Sequence, residues 1–466
     1  MSSPGVDHDL VARLRGRVVA ELSAERRARL DGSGMVLSRD DERVLGRSLV
    51  VQALAEHRQQ QLGAGIVLPD RSQDEAVVAA LHASLFGLGR LQPLIDDPSL
   101  SEINLNGHDQ VWLIRDDGSK ELGAPVASSD EELIEWVRTA ATYSGLSSRP
   151  WDPSNPKVEF RLPDGSRLVA LMAVVDRPVV SIRLKRRPTV TLDRLRELGD
   201  FDEGLQGFLE GLVDARQNVL VSGETGSAKT TLVRALAARI GPGERIVTVE
   251  HFRELGLDEL TSAHPDAIAL EERLANAEGH GRVTLADLVQ TSRRLDPDRL
   301  IVGEVIGDEV VALLDGMSQG NDGGISTIHA RTARSVPQRV AVYAIRAGLS
   351  LQDALLLFSS AVDFVVHMTR HRAPDGTLVR YVSSVVEIVG FDGDQVVTTE
   401  VFATPAGTTR AVPAAAVSAD RAAVLAAAGW DSRTLNGHPR PTRPGHAGHL
   451  VDVGSRTPGA VSRAVL

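Results

Sequence analysis

The stretch VLVSGETGSAKTTLVRAL, residues Val219–Leu236, constrains the fold more strongly than any other part of the chain. A short apolar run of strand length precedes a small-residue loop, and the loop opens a run with helical spacing of apolar residues. Four later apolar runs, RIVTVE, RLIVGEV, GISTIHA and DFVVHM, are separated by helical patterns. Almost continuously apolar strands that alternate with helices predict an α/β domain with a largely parallel sheet covered on both faces. We place this domain at residues 201–404, where RYVSSVVEIVGFDGDQVVTTEVF adds strands joined by a DGD turn.

The segment before this domain divides into two parts. Residues 1–75 are highly charged and place Leu10, Leu14, Val18, Leu22 and Leu30 near helical spacing, which predicts a helical extension. Its helices can be surface helices with a solvated charged face or helices that bind a partner. Residues 76–187 mix strands (QVWLI, RLVALMAVV) with a helix (DEELIEWVRTAATYSG) and a turn (LPDGSR), which predicts a smaller α+β domain.

Two further segments have less regular patterns. Residues 188–200, within KRRPTVTLDRLRELGD, are interpreted as a linker. Residues 405–466 are rich in Ala, Pro, Gly and Thr, and we expect a tail that is partly disordered. The histidines of NGHPRPTRPGHAGH, His438, His446 and His449, are compatible with a metal site, but disordered coil is the preferred interpretation.

Composition limits the kind of protein. The chain has no cysteine, which excludes disulfides and fits a reducing compartment. It has no apolar run of about 18 residues and begins with a polar segment, so we expect neither a membrane span nor a secretory signal and place the protein in the cytoplasm. A net charge of −11 argues against broad electrostatic binding to nucleic acid.

The loop between the first strand and its helix has the chemistry of a phosphate-binding (Walker A) loop. Successive backbone N–H groups wrap an anion, and the helix N-terminus adds a favourable dipole. A lysine then reaches the β- and γ-phosphates, and a threonine hydroxyl ligates Mg²⁺. The expected cofactors are ATP and Mg²⁺. The candidate nucleotide-binding residues are Gly223, Glu224, Thr225, Gly226, Ser227, Ala228, Lys229, Thr230 and Thr231.

Two residues of this loop are informative in different ways. Only four of the 51 basic residues are lysines, and one of them is Lys229. An ammonium and a guanidinium suit different sites, so a lysine at this position favours a functional loop. Ala228 departs from the pattern, which has glycine there because backbone without a Cβ approaches phosphates closely. A methyl group is either tolerated or weakens the site, and tolerance is the preferred interpretation.

Charged and polar residues end three other predicted strands. Glu304 ends RLIVGEV, in the Walker B arrangement of a carboxylate aimed at the Mg²⁺–water cluster. His329 ends GISTIHA and is a candidate contact for the γ-phosphate. Glu250 ends RIVTVE, and Glu254 follows four residues later; both could orient water and Mg²⁺. Glu304 and Glu250 are both candidates for the general base, and Thr230 and Glu304 are the candidate metal ligands.

Together these motifs resemble the ATPases shared by type II and type IV secretion systems, and most closely the CpaF-like branch that assembles Flp/Tad pili. The resemblance covers roughly residues 85–400 and also uses GLGRLQPLIDDPSLSEINLNG, SIRLKRRP, TVEHFREL and DPDRLIVGEV. It implies a RecA-like P-loop NTPase domain, preceded by an N-terminal α+β domain, in a ring that is usually a hexamer. It also implies that arginines of the N-terminal domain, here Arg161, Arg167 and Arg183, act near the phosphates, where they neutralise charge on the transferred phosphoryl group.

The sequence departs from the family pattern at several positions. The family usually has Gly at Ala228, Asp at His251, Arg at Asp296, Arg at Ile306 and His at Asn321. Losing positive charge at Asp296 and Ile306 removes contacts between subunits or a charge that supports catalysis. The family's other functional positions are kept, at Lys229, Thr230, Glu250, Glu304 and His329.

Three functions follow as hypotheses. The preferred one is a cytoplasmic ATP hydrolase whose domain motion drives an inner-membrane platform for pilus assembly or protein secretion, with peripheral membrane association through partners. The second is a nucleotide-binding regulatory subunit with weak turnover, motivated by Ala228, Ile306 and Asn321. The third is a conjugation-type DNA-handling ATPase. Its weakness is the acidic charge and the aromatic content of only 3%, because single-strand binding favours basic grooves with stacking platforms.

Overall fold

The structure is a computed structural model of the chain. It describes residues 8–33, 39–65, 71–86, 89–115, 117–143, 151–185, 190–275, 279–320, 322–374 and 377–432. No helix in these ranges is long and apolar enough to cross a membrane.

The predicted helical extension is a packed helical unit. Three helices form it: α1 His8–Ser33, α2 Arg39–Gly63 and α3 Arg71–Phe86. Leu14, Val18 and Leu22 are buried against Val50 and Leu81 from the other two helices. Each helix therefore buries one apolar face against the other two, while Val44 and Leu62 of α2 are exposed. Helix α3 extends beyond residue 75, because its own apolar face belongs to this core.

The next unit is a six-stranded antiparallel sheet with strand order β3-β2-β1-β6-β5-β4. The strands are β1 Leu100–Asn106, β2 Val111–Arg115, β3 Lys120–Gly123, β4 Lys157–Arg161, β5 Arg167–Leu171 and β6 Val179–Arg183. Helices α4 (Gln92–Asp96) and α5 (Asp130–Tyr143) accompany it, and Leu133 and Val137 of α5 pack on its apolar face. The predicted strand RLVALMAVV ends at Leu171, shortly before Ala173 takes a positive φ of 60°.

The second sheet has nine strands in the order β15-β14-β13-β12-β7-β11-β10-β8-β9. They are β7 Val219–Gly223, β8 Ile246–Glu250, β9 Ala267–Glu271, β10 Arg299–Val305, β11 Ile325–His329, β12 Phe364–Arg372, β13 Leu378–Asp392, β14 Gln395–Ala403 and β15 Val412–Pro413. Strands β7 to β12 are parallel, and β13 to β15 extend the sheet antiparallel.

Helices cover both faces of this sheet. They are α6 Leu192–Leu198, α7 Glu203–Asp214, α8 Lys229–Ala237, α9 Leu285–Ser292, α10 Glu309–Ser318, α11 Val336–Arg346, α12 Leu351–Ala361 and α13 Ala419–Ala427. One apolar core contains residues of α6, α7, α8 and α13, and the other contains residues of α9 to α12. The P-loop strand β7 at the centre of a parallel sheet, covered on both faces, gives the RecA-like α/β fold that the sequence predicts.

The predicted linker at residues 188–200 needs correction. Within it, α6 is capped by Thr191, whose side chain accepts the backbone N–H of Arg194. Leu192 and Leu195 are buried in the same core as α7 and α8. This segment is part of the domain built on the nine-stranded sheet, because its helical apolar spacing supplies side chains to that core.

The first part of the predicted tail, residues 405–432, is folded. Ala411, Leu425 and Trp430 are buried in the core beside α7, and the Trp430 ring lies edge-on to Phe208 at 5.3 Å between centroids. The residues up to 432 therefore fold onto the domain. His438, His446 and His449 lie outside the described residues.

Candidate functional site

The predicted site residues come from neighbouring parallel strands that end at one edge of the sheet. Gly223 of β7 pairs with His329 of β11, and Glu304 lies near the end of the next strand, β10. Glu250 ends β8, beside β10. Since ligands of open α/β sheets bind outside the carboxyl ends of the strands, this edge is the expected place for a nucleotide site.

The P-loop has the open backbone that a phosphate cradle needs. Gly223 (φ 153°) and Gly226 (φ 75°) take conformations that residues with a Cβ rarely adopt. A Cβ on Gly223 would lie 2.6 Å from Oγ of Ser227, so this turn has no room for a side chain. The carbonyl of Glu224 accepts the N–H and the hydroxyl of Ser227 and, at 3.0 Å, the Nζ of Lys229. The loop is thus closed on itself and leads directly into the N-terminus of α8.

Ala228 is held in a conformation that glycine would adopt more easily. As the N-cap of α8 it has φ 70° and ψ 29°, the left-handed region. For an alanine that conformation costs roughly 1–2 kcal/mol. The departure at this position therefore concerns backbone strain as well as the extra methyl group.

Lys229, His329 and Glu304 form a continuous polar chain at the mouth of the loop. Nζ of Lys229 lies 3.2 Å from Nδ1 of His329, and Nε2 of the same ring lies 2.7 Å from Oε1 of Glu304. The side chains of His329 and Glu304 are 37% and 40% exposed, so both are accessible to a ligand or to water. The structure brings these three predicted residues together.

The electrostatics of Lys229 show which charges share its surroundings. Burial lowers the pKa of this ammonium, Glu304 raises it, and Arg183 of the N-terminal sheet lowers it further. A partly desolvated cation next to one carboxylate and one guanidinium gains strongly from an added anion. The site is therefore electrostatically suited to a polyphosphate.

Glu250 and Glu254 occupy different environments. Glu250 is 2% exposed, and its Oε1 accepts the backbone N–H groups of Glu254 and Leu255 at 2.8 and 2.9 Å. A Cβ on Gly303 would lie 2.9 Å from Cγ of Glu250, so the glycine before Glu304 makes room for it. This carboxylate holds the turn after β8, whereas Glu254 is partly exposed and faces Arg183 at 3.9 Å.

The arginines predicted from the N-terminal sheet meet the end of β9 and the segment after β8. Arg161 pairs with Glu271 at 3.1 Å, and the guanidinium of Arg167 stacks on the ring of Phe252 at 4.2 Å. Arg183 pairs with Glu254 and acts electrostatically on Lys229. Of the three, Arg183 is therefore the one that shares an electrostatic environment with the P-loop lysine.

A metal ion at this site would depend on the nucleotide. Within the described ranges, no three histidine or carboxylate side chains are grouped closely enough to hold a metal ion. Mg²⁺ usually keeps several waters and takes only one or two protein ligands beside substrate phosphates. The hydroxyl of Thr230 at the start of α8 and the carboxylate of Glu304 fit that sparse ligand set.

Sequence reasoning missed several residues around the site. The carboxylate of Glu309 accepts the backbone N–H of Ile306 and, at 2.8 Å, that of Gly307, which fixes the turn after Glu304. The buried ring of His367 binds the hydroxyl of Ser222, the residue before Gly223, at 2.8 Å. Glu309 could have been found from the sequence, because it is a charged residue shortly after a predicted strand end. The position of His367 could not, because it depends on which strand lies beside β7.

The other departures from the family pattern lie at exposed or turn positions. Ile306 is 46% exposed just after β10, and Asp296 takes a positive φ of 53° in the turn before that strand. The ring of His251 pairs with Glu272. Asn321 lies outside the described residues.

Comparison with known proteins identifies the family. The family model for "Type II/IV secretion system protein" matches residues 85–412. The "Putative conjugal transfer protein Rv3659c" of Mycobacterium tuberculosis (strain ATCC 25618 / H37Rv) is 34% identical over 307 residues, covering 64% of this chain and 84% of the relative. Protein VirB11 of Agrobacterium fabrum is 30% identical over 317 residues, covering 60% and 89%.

Solved structures of two ATPases are also similar. The VirB11 ATPase of Brucella suis has 28% identity and a TM-score of 0.34, covering 67% of this chain and 96% of that chain. The ATPase DotB of Legionella pneumophila has 18% identity and a TM-score of 0.45, covering 62% and 78%. Because these TM-scores are low, the assignment depends on the sequence match. That match spans most of the chain, and the protein therefore belongs to the type II/IV secretion ATPase family.

Proposed function

We propose that this chain hydrolyses ATP at the edge of its nine-stranded sheet and uses the resulting domain motion to power pilus assembly or protein secretion. The observation that carries the proposal is the chain of contacts from Lys229 through His329 to Glu304 at the mouth of the P-loop. The imidazole ring of His329 thus links Lys229, the residue that binds phosphate, with Glu304, the carboxylate best placed to act on water.

The chemistry follows from the protonation that these contacts require. An ammonium only donates hydrogen bonds, so Nδ1 of His329 accepts from Lys229 and Nε2 carries the proton that Glu304 accepts. When ATP occupies the loop, Lys229 exchanges the imidazole for β- and γ-phosphate oxygens. The Nε2–H of His329 stays on Glu304 and holds its carboxylate in place. Glu304 orients the attacking water and accepts its proton as the bond between the γ-phosphorus and the oxygen of ADP breaks. Mg²⁺ bound with the nucleotide supplies neutralisation of phosphate charge.

The two glutamates that the sequence left as alternatives for the base have separate roles in this proposal. Oε1 of Glu250 is occupied by two backbone N–H groups and the side chain is buried, which suits a positioning role. Glu304 is partly exposed and stands beside His329. We therefore assign the role of general base to Glu304. Glu250 orients the turn on which Glu254 lies.

The assembly and location belong to the same proposal. Arg161 and Arg183 lie on a separate sheet that meets the domain of the nine-stranded sheet beside the site, so movement of that separate sheet would change the charge around the phosphates. A homo-hexameric ring, with the N-terminal sheet closing over nucleotide, is the arrangement we propose. The ring would work in the cytoplasm and attach peripherally to inner-membrane platform proteins, with the CpaF-like Flp/Tad branch as the proposed system.

Relatives named for conjugal transfer support a second candidate, a motor for a DNA-transfer system. In that case the chain would still hydrolyse ATP, but its cargo would be a protein–DNA complex. Direct contact with DNA is not part of the first proposal, because the chain carries a net charge of −11.

Three measurements on the full chain test this function: its size with and without ATP, export in the cell, and turnover with and without DNA. Mass photometry with and without ATP should show hexamers that form or persist with nucleotide; monomers under both conditions would contradict the ring. In the native cell, Lys229→Ala should abolish export of pilin or secreted protein while protein level stays normal. Export that continues unchanged would contradict the motor role, and turnover strongly stimulated by DNA would favour the second candidate.

A further inference from the structure

Two arginines reach the P-loop from strands β12 and β13. In the strand order these lie on one side of β7, and β10, which carries Glu304, lies on the other. Strand β12 pairs with β7 so that Met368 lies beside Gly223, which is where β7 ends. Arg370 is two residues further along β12, so it lies on the same face of the sheet as Met368. Helix α8 packs on that face. Across the antiparallel pair of β12 and β13, Arg370 lies directly opposite Arg380.

Both guanidinium groups lie beside Gly226 of the loop. Nε of Arg380 donates to the carbonyl of Gly226 at 3.1 Å. Nη1 of Arg370 lies 2.9 Å from the position that a Cβ on Gly226 would take. A side chain at Gly226 would thus displace Arg370, which gives this glycine a reason besides its positive φ.

The two cations lie opposite each other on neighbouring antiparallel strands. Like charges directly opposite one another in a sheet are destabilising. Within the described residues, neither arginine forms an ion pair, and Arg380 acts electrostatically on the carboxyl of the buried Asp200. Two guanidinium groups held this close therefore favour an anion at the loop that they flank.

We propose that Arg370 and Arg380 form a second basic wall of the nucleotide site, facing the phosphate chain of a nucleoside triphosphate. Arg380 is a positioning residue: it holds the Gly226 carbonyl outward, which fixes the peptide whose other end is the Ser227 N–H. Arg370 is exposed and contacts the bound phosphates. This inference rests on the proposed function, because it requires that the loop binds nucleotide.

Loss of Arg370 and loss of Arg380 should affect nucleotide binding in different ways. Loss of Arg370 removes one cation that touches phosphate, so binding should weaken and become less sensitive to salt. Loss of Arg380 also loosens the loop, so ATP and ADP should both bind more weakly. A merely structural role for either arginine would lower the thermal stability of the nucleotide-free chain without changing nucleotide affinity.

The test uses equilibrium binding of fluorescent ATP and ADP analogues to the full chain, with Mg²⁺, at several salt concentrations. Arg370→Gln and Arg380→Gln should each raise Kd about tenfold, and Arg370→Gln should flatten the salt dependence. Arg380→Lys should bind nucleotide almost as weakly as Arg380→Gln, since a lysine cannot reproduce the Nε contact with the Gly226 carbonyl. The matched control is Arg372→Gln, which removes the same charge from the same strand at a residue that lies against Gly118.

The outcomes distinguish this inference from the proposed function. If the wild-type chain binds no nucleotide, the proposed function fails and the inference fails with it. If the wild type binds while Arg370→Gln and Arg380→Gln bind equally well, the inference alone is overturned. Equal weakening by Arg372→Gln would also overturn it, because the effect would then be one of general charge. Melting temperatures of the nucleotide-free variants, equal to that of wild type, confirm that folded proteins are compared.

Discussion

The ring of His329 stands between Lys229 and Glu304, with Nε2 2.7 Å from Oε1 of the glutamate. The two ends of this side chain can be tested separately, because Asn places an amide near Nδ1 and Gln places one near Nε2. We expect His329→Asn to lower turnover about 100-fold and His329→Gln about 10-fold, since Gln keeps a donor to Glu304. Steady-state phosphate release measures both, and the Kd for ATP should change less than about threefold. Equal losses in the two variants would mean that the contact with Glu304 has no part in turnover.

The left-handed backbone of Ala228 predicts a gain in stability on replacement by glycine. Ala228→Gly relieves strain of roughly 1–2 kcal/mol and loses part of it to the entropy of the unfolded chain, so a net gain of about 1 kcal/mol is expected. Hydrogen exchange of the buried β7 amides measures the change in the free energy of unfolding. Ala235→Gly, inside the same helix, is the control and should lower stability by about 1 kcal/mol or more.

The same substitution tests whether Ala228 weakens the site. Turnover of Ala228→Gly should stay within about tenfold of wild type, which is under about 1.4 kcal/mol of barrier. A much larger increase would show that the alanine detunes the ATPase and would favour the regulatory subunit with weak turnover.

His367 predicts a loss of stability in acid. Burial lowers its pKa to about 4, whereas an unfolded histidine titrates near 6.5. The unfolded state therefore binds more protons between these values, so stability falls as the pH drops from about 6.5 to about 4. Between pH 7.5 and 5 this amounts to about 2 kcal/mol.

Exchange of the β7 amides at the two pH values, in wild type and in His367→Gln, isolates this effect. The variant should lose less stability than wild type on acidification, although the buried His264, whose pKa is also lowered by burial, still contributes. An identical loss in the two proteins would exclude His367 as its source.

Asp200 predicts the opposite dependence on pH. Burial raises its pKa to about 6, and Arg380 opposes that shift. The folded state holds a proton that the unfolded state has released, so this group's stabilisation is complete below about pH 4 and is lost as the pH rises through 6. Asp200→Asn should therefore be more stable than wild type at pH 7.5, by up to about 3 kcal/mol, and equal to it near pH 4. A variant that is less stable than wild type at pH 7.5 would show that the ionised carboxylate is favourable.

The sequence predicts the parallel strands well because each is a short apolar run, and their polar ends name Glu304, His329 and Glu250 directly. Strand β9, AIALE, was missed because it is short and only partly buried. The helix at Leu192–Leu198 and the packing of Trp430 were missed because their apolar residues become informative only against α7 and α8. Arg370 and Arg380 reach the loop through strand pairing with β7, which no local pattern specifies.

We propose that Glu304 acts on water at a site where Lys229 binds phosphate. The most direct measurement is phosphate release at saturating ATP by wild type and Glu304→Gln, with the Kd for ATP determined on the same preparations. We predict that Glu304→Gln binds ATP with a Kd within about threefold of wild type but releases phosphate at least about 100-fold more slowly. Equal rates of phosphate release by the two proteins would contradict the account.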